Sequence, residues 1–238
     1  MHSPYTVRSD TVDTIRSVLD VMSNDPHDAT ISDMLSNHNT TETVCPATDL
    51  VRPVDVVHMW EIGKHYNSAT LREDVSKVVS SLNGTTTHNN NKNKMVNGRY
   101  IHTSTKLQGS NAGAGRNTVS TKYVQALLQT KIVVVAQRDK WEDHYRLMEG
   151  LSAGALVVMD VMLGLPSGLI DGQHVIIYHD LDQLREQILY YLQHDEERIQ
   201  IAKNGWEVAM SRHRSYHRIE ELVFGCPRTK VNMPYKIY

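Results

Sequence analysis

The sequence lacks the features that mark several classes of protein. Its 238 residues include two cysteines, Cys45 and Cys226, which lie far apart and outside any CxxC or Cys/His cluster, so neither a disulfide framework nor a structural zinc site is indicated. No apolar run approaches the roughly 18 residues of a membrane span, and the start of the chain lacks the apolar core of a signal peptide. We therefore expect no transmembrane segment and a soluble chain, in the cytoplasm or in a secretory lumen.

The charges show no excess of one sign. The chain carries 25 lysines and arginines against 27 aspartates and glutamates, so no basic field is present to hold nucleic acid. Hydrophobic residues make up 40% of the composition, which is enough to bury a core in a chain of this length. The composition predicts a globular protein without a nucleic-acid partner.

Composition divides the chain into two parts. Residues 1–49 contain one amphipathic helix followed by a polar stretch, which predicts a variable lead-in and linker. Residues 50–238 carry the strand and helix patterns of one domain, interrupted at 83–117 by an Asn-rich and Gly-rich segment that predicts a flexible polar insert. Residues 54–60 and 71–82 are predicted to form the first strand and helix of that domain.

The stretch 131–160 organises the predicted domain. Residues 131–136 are apolar and β-branched without alternation, which is typical of a parallel strand buried on both faces. Helical spacing follows, and a second buried strand at 155–159 completes the strand, helix, strand unit of a parallel sheet. A third buried strand at 174–178 precedes two amphipathic helices. The predicted fold class is α/β, with a Rossmann-like parallel sheet flanked by helices.

Charged residues crowd one edge of this predicted sheet. Ligands of such sheets lie outside the carboxyl ends of the strands, which places the loop 137–144 and the helix start after it at a binding crevice. Arg138 and His144 lie there and are candidates for ligand binding. Arg72 is a further candidate because it lies near the start of the helix after the first strand, where backbone amides and a cation meet a phosphate.

Five segments follow one another in a characteristic order. They are YVQALLQTKIVVV, YRLMEGLSAGALVV, a Gly-rich loop, HVIIYHDLDQLREQILYYL and DEERIQIAKNGWEVAMSRHRSYHR. In this order the chain from residue 54 to residue 224 resembles the nucleotide-sugar-binding, C-terminal half of GT-B glycosyltransferases, and it looks most similar to the glycosyl transferases group 1 modules of spore-maturation-type proteins. The loop GLPSG is also similar to exostosin-like enzymes. The resemblance implies one half of a GT-B fold and transfer of a hexosyl or pentosyl group from a nucleotide sugar to an unknown acceptor.

The resemblance also implies a donor-binding pocket. In the family an Arg, a Glu three residues later and a small-residue turn before a strand form this pocket, and the matching positions are Arg146, Glu149, Ala153, Gly154 and Ala155. The Glu is expected to hold the ribose hydroxyls, a role that suits a carboxylate because it accepts hydrogen bonds from a vicinal diol. Small residues let a nucleotide approach the backbone. The residues alone leave open a solvated Glu149 and a Gly154 that only ends the helix.

Transfer is expected to need neither a metal nor another cofactor. Arg138 and Arg146 are expected to offset the charge that develops on the diphosphate leaving group. The catalytic residues are not assigned: His58 and His144 lie near strand ends, while in the family the base often comes from the other half of the protein. Many retaining members carry a second Glu eight residues before the ribose-binding one, and Trp141 occupies that place here, so the stereochemical outcome stays open.

Complete GT-B enzymes also have an acceptor domain of comparable size, for which residues 1–49 are too short. We therefore expect the acceptor to bind to a separate domain or subunit. The alternative function is a non-catalytic module that binds a nucleotide or a partner chain.

Two further motifs favour structural roles. Asp180, Leu181 and Asp182 follow a strand, as a metal-binding DxD motif does, but Asp180 also precedes an amphipathic helix and is predicted to be its N-cap. His213 and His217 have the i, i+4 spacing of a metal pair without a third ligand nearby, so they are predicted to be packing or solvated histidines.

Overall fold

The computed structural model describes residues 13–15, 17, 47, 50–58, 70–83, 100–105, 120–137 and 145–224. Strands and helices alternate along most of this part of the chain. In chain order they are β1 (Val54–His58), α1 (Thr70–Ser81), β2 (Thr103–Ser104), α2 (Thr121–Leu128), β3 (Thr130–Val135), α3 (Tyr145–Ser152), β4 (Leu156–Asp160), β5 (Ile176–Tyr178), α4 (Leu181–Tyr191), α5 (Asp195–Arg212) and α6 (Ser215–Phe224).

The five strands form one sheet in the order β2-β1-β3-β4-β5, and every pair of neighbours is parallel. The chain moves outward from β1 to β2, then returns past β1 to β3 and continues in that direction. The order of the strands therefore reverses between β1 and β3, and in open α/β sheets ligands bind at the carboxyl edge of such a switch point. The fold-class prediction is confirmed, and this architecture is the one expected of one half of a GT-B fold.

The helices cover both faces of the sheet. Because crossovers between parallel strands are right-handed, the outward connection α1 and the return connections α2 and α3 lie on opposite faces. On the first face, Arg185 of α4 donates a hydrogen bond to the Ser81 hydroxyl of α1 over 3.0 Å. On the second face α3 packs against α5. A residue of α1 and a residue of α3 can therefore meet only around an edge of the sheet.

The core lies between these layers and is densest around β3 and β4. All five residues of β4 are buried, as are the last four residues of β3. This burial on both faces agrees with the continuous apolar runs in their sequences. The structure differs from the sequence prediction at β2, which lies inside the segment expected to be a flexible insert. There Ile101 is buried, and Thr103 and Ser104 pair with β1.

Arg52 donates hydrogen bonds to three backbone carbonyl groups at the amino edge of the sheet. Its guanidinium donates to the carbonyl oxygen of Leu127 at 3.3 Å, to that of Thr130 at 2.6 Å and to that of Ala153 at 2.6 Å. These carbonyls lie at the end of α2, the start of β3 and the end of α3. A cation at two helix C-termini is also favoured by the helix dipoles.

Most of residues 1–49 lie outside the described part of the chain, so the predicted lead-in helix and linker stay predictions. Within the described residues no helix is both long enough and apolar enough to cross a membrane.

Candidate active site

The last residue of β1, His58, lies at the point where the strand order reverses. It pairs in register with Val134 of β3, and its side chain is 1% exposed. Its Nδ1 lies 2.8 Å from the hydroxyl oxygen of Ser76 on α1. His58 therefore points toward the face of the sheet that α1 covers.

Two arginines bring positive charge to His58. Arg72, at the start of α1, is 5% exposed, and its Nε donates to the carbonyl oxygen of Ala136, just after β3, over 2.9 Å. Arg146, in the first turn of α3, is half-buried. Burial, the charge of Arg146 and the charge of Arg72, in that order, lower the pKa of His58 to about 3. Because Arg72 belongs to α1 and Arg146 to α3, the two charges that act on His58 come from helices on opposite faces of the sheet.

This environment makes His58 a poor general base. With a pKa of about 3, its imidazole is neutral at physiological pH and binds a proton only weakly. An efficient general base has a pKa near the working pH. The structure therefore argues against the sequence-based candidacy of His58 for deprotonating an acceptor, and it favours a site whose electrostatics attract anions.

Glu149 lies one helical turn after Arg146, on the same half-buried face of α3. Residues spaced i, i+3 on a helix are neighbours, with about 5–6 Å between their Cβ atoms. The hydroxyl of Tyr123, on α2, donates to Oε2 of Glu149 over 2.5 Å. Sequence reasoning missed Tyr123, since a helical tyrosine two turns before a strand shows only a core position.

The small-residue turn after α3 caps the helix. Gly154 has a φ of 67°, its amide donates to the Leu151 carbonyl over 3.0 Å, and the Ala155 amide donates to the Gly150 carbonyl over 3.2 Å. This pair of bonds is the Schellman motif, which requires a left-handed residue at the position of Gly154. Ala153, Gly154 and Ala155 are buried immediately before β4, at the amino edge of the sheet and a strand's length from the crevice. The structure thus shows the capping role that the sequence left open for Gly154, while donor contact by these three residues stays a prediction.

Asp160, at the end of β4, joins the loops that follow two strands. Its two carboxylate oxygens accept hydrogen bonds from the Gln137 amide over 3.1 and 3.2 Å, and the Gln137 side chain donates to the Val161 carbonyl over 2.7 Å. Burial, followed by the charge of Asp160, raises the pKa of Tyr178 at the end of β5. Sequence reasoning did not single out Asp160, although an acidic residue that ends a buried strand is a recognisable signal.

Of the other residues singled out in the sequence, some lie outside the described part of the chain and some lie within it. Arg138 and His144, together with Trp141, lie outside the described residues, so their roles stay predictions. Asp180 caps α4 as predicted, because its Oδ1 accepts a hydrogen bond from the Gln183 amide over 2.8 Å.

His213 and His217 are both buried, which favours packing over solvation. Nε2 of His213 lies 2.9 Å from the Ser167 carbonyl oxygen, and Nδ1 of His217 accepts a hydrogen bond from the Arg214 amide over 3.2 Å. In the part of the chain that the structure describes, no three His, Cys, Asp or Glu side chains cluster as ligands for a metal ion.

Comparison with known proteins identifies a family and a similar solved structure. The model of the glycosyl transferase-like family matches residues 81–223, which include α2, α3 and the strands β2, β3, β4 and β5 but not β1. None of the curated proteins matches the sequence. A solved structure described as "Crystal Structure of TarM" is 15% identical, with a TM-score of 0.47, and the match covers 82% of this chain and 41% of that one. The chain therefore spans about two fifths of the length of that structure.

Proposed function

The chain belongs to the glycosyl transferase-like family, and from that premise we propose that it transfers a sugar from a nucleotide-activated donor to an acceptor nucleophile. The observation that carries this proposal is the approach of Arg72 and Arg146 to His58 from opposite faces of the sheet, at the switch point of the strand order. A site of this kind attracts the diphosphate that links nucleoside and sugar.

The proposed role of the arginines follows from the chemistry of the leaving group. When the glycosidic bond to the donor breaks, negative charge builds up on the departing nucleoside diphosphate. Guanidinium groups present several N–H donors in a planar fork that matches phosphate oxygens, and fixed donors aimed at developing charge lower the barrier. The bond from Arg72 Nε to the Ala136 carbonyl holds one of these groups against the end of β3.

The proposed role of Glu149 follows from its distance to Arg146. In a nucleotide the ribose is attached directly to the first phosphate, so a ribose-binding group belongs beside a phosphate-binding group. Glu149 and Arg146 are neighbours on α3, as this geometry requires. The Glu149 carboxylate would accept hydrogen bonds from the ribose hydroxyls while Arg146 binds the phosphate.

The proposal also states where the acceptor binds and that transfer needs no metal ion. As the resemblance to GT-B enzymes implies, we expect the acceptor to be held by a separate domain or subunit. The charge of the two arginines takes the place that a divalent cation would have at the diphosphate, so transfer is expected to survive EDTA.

A thermal-shift screen of nucleoside diphosphates and nucleotide sugars tests the binding step. A ligand at 100 times its dissociation constant stabilises the folded protein by about 2.7 kcal/mol, which is a readily measured shift. Arg146→Gln should abolish the shift. Arg185→Gln is the matched control, since it removes another half-buried helical arginine whose side chain contacts Ser81 instead. The proposal fails if no nucleotide stabilises the wild-type chain.

Release of nucleoside diphosphate from a nucleotide sugar tests the chemical step. Release by the wild-type chain with EDTA present, lost in Glu149→Gln, would support a metal-independent transferase site. Binding without release in the presence of varied acceptors would favour the alternative, a non-catalytic nucleotide-binding module.

A further inference from the structure

Tyr123 contacts Glu149, the residue proposed to bind ribose, from a neighbouring helix. It is the third residue of α2 and is 4% exposed, on the helix face that also buries Val124 and Leu127. Packing on this face fixes the position of the ring, and a tyrosine has only two side-chain torsions, so its hydroxyl is held in place with little freedom.

The bond from this hydroxyl to Glu149 is short. The O–H of Tyr123 donates to Oε2 of Glu149 over 2.5 Å, at the short end of the range for a neutral hydroxyl bound to a carboxylate. Glu149 lies on a half-buried helix face, and a glutamate side chain has several accessible rotamers. The bond from a fixed phenol selects one of these rotamers before any ligand arrives.

We propose that Tyr123 is a positioning residue that orients the Glu149 carboxylate toward the two ribose hydroxyls, and that the pair thereby selects donors that carry both ribose hydroxyls over donors that lack one of them. This inference rests on the proposed function, because it takes Glu149 as the ribose-binding group. A carboxylate has about four lone-pair sites, and the phenol uses one, so the Tyr123 bond is compatible with acceptance from a diol.

The test pairs each variant with two ligands. Dissociation constants are measured by calorimetry for a ribonucleoside diphosphate found in the binding screen and for its 3′-deoxy counterpart. The proteins are the wild type, Glu149→Gln, Tyr123→Phe and Tyr190→Phe. Tyr190 is the matched control, because its hydroxyl also donates to a glutamate, Oε2 of Glu197 over 2.9 Å, but on the exposed surface of α4 and α5.

The inference predicts a specific change in ligand preference. Tyr123→Phe keeps the ring and should weaken ribonucleotide binding about tenfold, the effect typical of losing a hydrogen bond to a charged group. Binding of the 3′-deoxy ligand should change little, so the preference for ribose falls. Tyr190→Phe should leave both constants unchanged.

Three outcomes would overturn the inference, and they separate it from the proposed function. If Tyr123→Phe weakens both ligands equally, Tyr123 only supports the packing of α2 and α3. If Glu149→Gln removes the ribose preference while Tyr123→Phe keeps it, the proposed function stands and the role of Tyr123 does not. If the wild type binds no nucleotide, the proposed function itself has failed.

A second measurement covers the case in which circular dichroism shows Tyr123→Phe to be unfolded. In the wild-type chain, with 13C at Cζ of its tyrosines, the Tyr123 signal should shift with the ribonucleotide and stay in place with the 3′-deoxy ligand. Equal shifts with both ligands would overturn the inference.

Discussion

The neutral His58 should make the fold sensitive to acid. In an unfolded chain its pKa returns to about 6.5, whereas in the folded protein burial and the charges of Arg146 and Arg72 lower it to about 3. Between these two pH values the unfolded state binds a proton that the folded state does not. The stabilisation associated with the neutral ring is therefore fully present above pH 6.5 and is lost as the pH falls toward 3.

The two pKa values set the size of the effect. Each unit of difference in pKa corresponds to about 1.4 kcal/mol, so the full difference is worth about 5 kcal/mol at pH values below both. Between pH 7 and pH 5, proton linkage to this one residue should lower the free energy of unfolding by about 2 kcal/mol. That is a large part of the stability of an ordinary domain.

The assay compares the wild type with His58→Gln. Glutamine does not titrate and retains a polar group for Ser76, so urea unfolding of both proteins at pH 7, 6 and 5 isolates the contribution of the ring. The variant will carry a constant cost from altered packing, and the other twelve histidines affect both proteins alike. The wild type should lose about 2 kcal/mol relative to the variant between pH 7 and pH 5. The reasoning would be refuted if the difference in free energy of unfolding between the two proteins did not depend on pH. It would also be refuted if the wild type became more stable relative to the variant at low pH.

Two other substitutions test the packing that holds the site. A Cβ at Gly205 of α5 would lie 2.4 Å from the His174 carbonyl oxygen and 2.7 Å from Leu151, so Gly205→Ala should lower the melting temperature despite the better helix propensity of alanine, at a cost of about 1–3 kcal/mol. Gly164→Ala, which meets nothing within 4 Å, is its control, and equal melting temperatures for the two variants would contradict the close approach of α5. Arg52→Met removes the donor to three buried carbonyls and should cost about 3 kcal/mol in urea unfolding. A loss below 1 kcal/mol, the usual size for an exposed charge pair, would show that Arg52 does not hold the amino edge together.

Elements with strong local signals could be predicted from the sequence. The strands β3 and β4 were visible because a strand buried on both faces needs an unbroken apolar run, and the cap of α4 was visible because Asp180 directly precedes an amphipathic helix. Strand β2 was not. It consists of Thr103 and Ser104 and owes its existence to pairing with β1, which no local pattern records.

Contacts between residues far apart in the sequence could not be predicted either. Asp55 accepts hydrogen bonds from the His102 amide over 2.8 Å and from Lys131 Nζ over 2.9 Å, and its partners lie 47 and 76 residues away. A buried acid in a strand looks unfavourable by composition, since β-strands rarely carry Asp. Only the fold supplies the partners that satisfy it.

The sequence also did not predict which residues of the candidate site lie close together. Arg72 was proposed from its position after a strand and Arg146 from the resemblance to the family's donor pocket, but nothing in their 74-residue separation predicts that the charges of both act on one histidine. That proximity depends on β2 lying on the far side of β1, because this reversal places α1 and α3 on opposite faces of neighbouring strand ends. A different strand order would have kept every local element and separated the two charges.

The motif proposed for donor binding on α3 has two parts at opposite ends of one short helix. Arg146 and Glu149 lie on its half-buried face, while the turn at Gly154 ends it at the amino edge of the sheet. Between them Gly150 lets the helix lie directly on β3 and β4, since a Cβ there would come within 2.9 Å of a Val157 methyl group. The cap and this close contact together fix the height of α3 along the sheet, and that height decides whether Arg146 reaches the crevice. Substitutions at Gly154 should therefore weaken nucleotide binding only as far as they loosen the helix, whereas Arg146→Gln should weaken it in a fully folded protein.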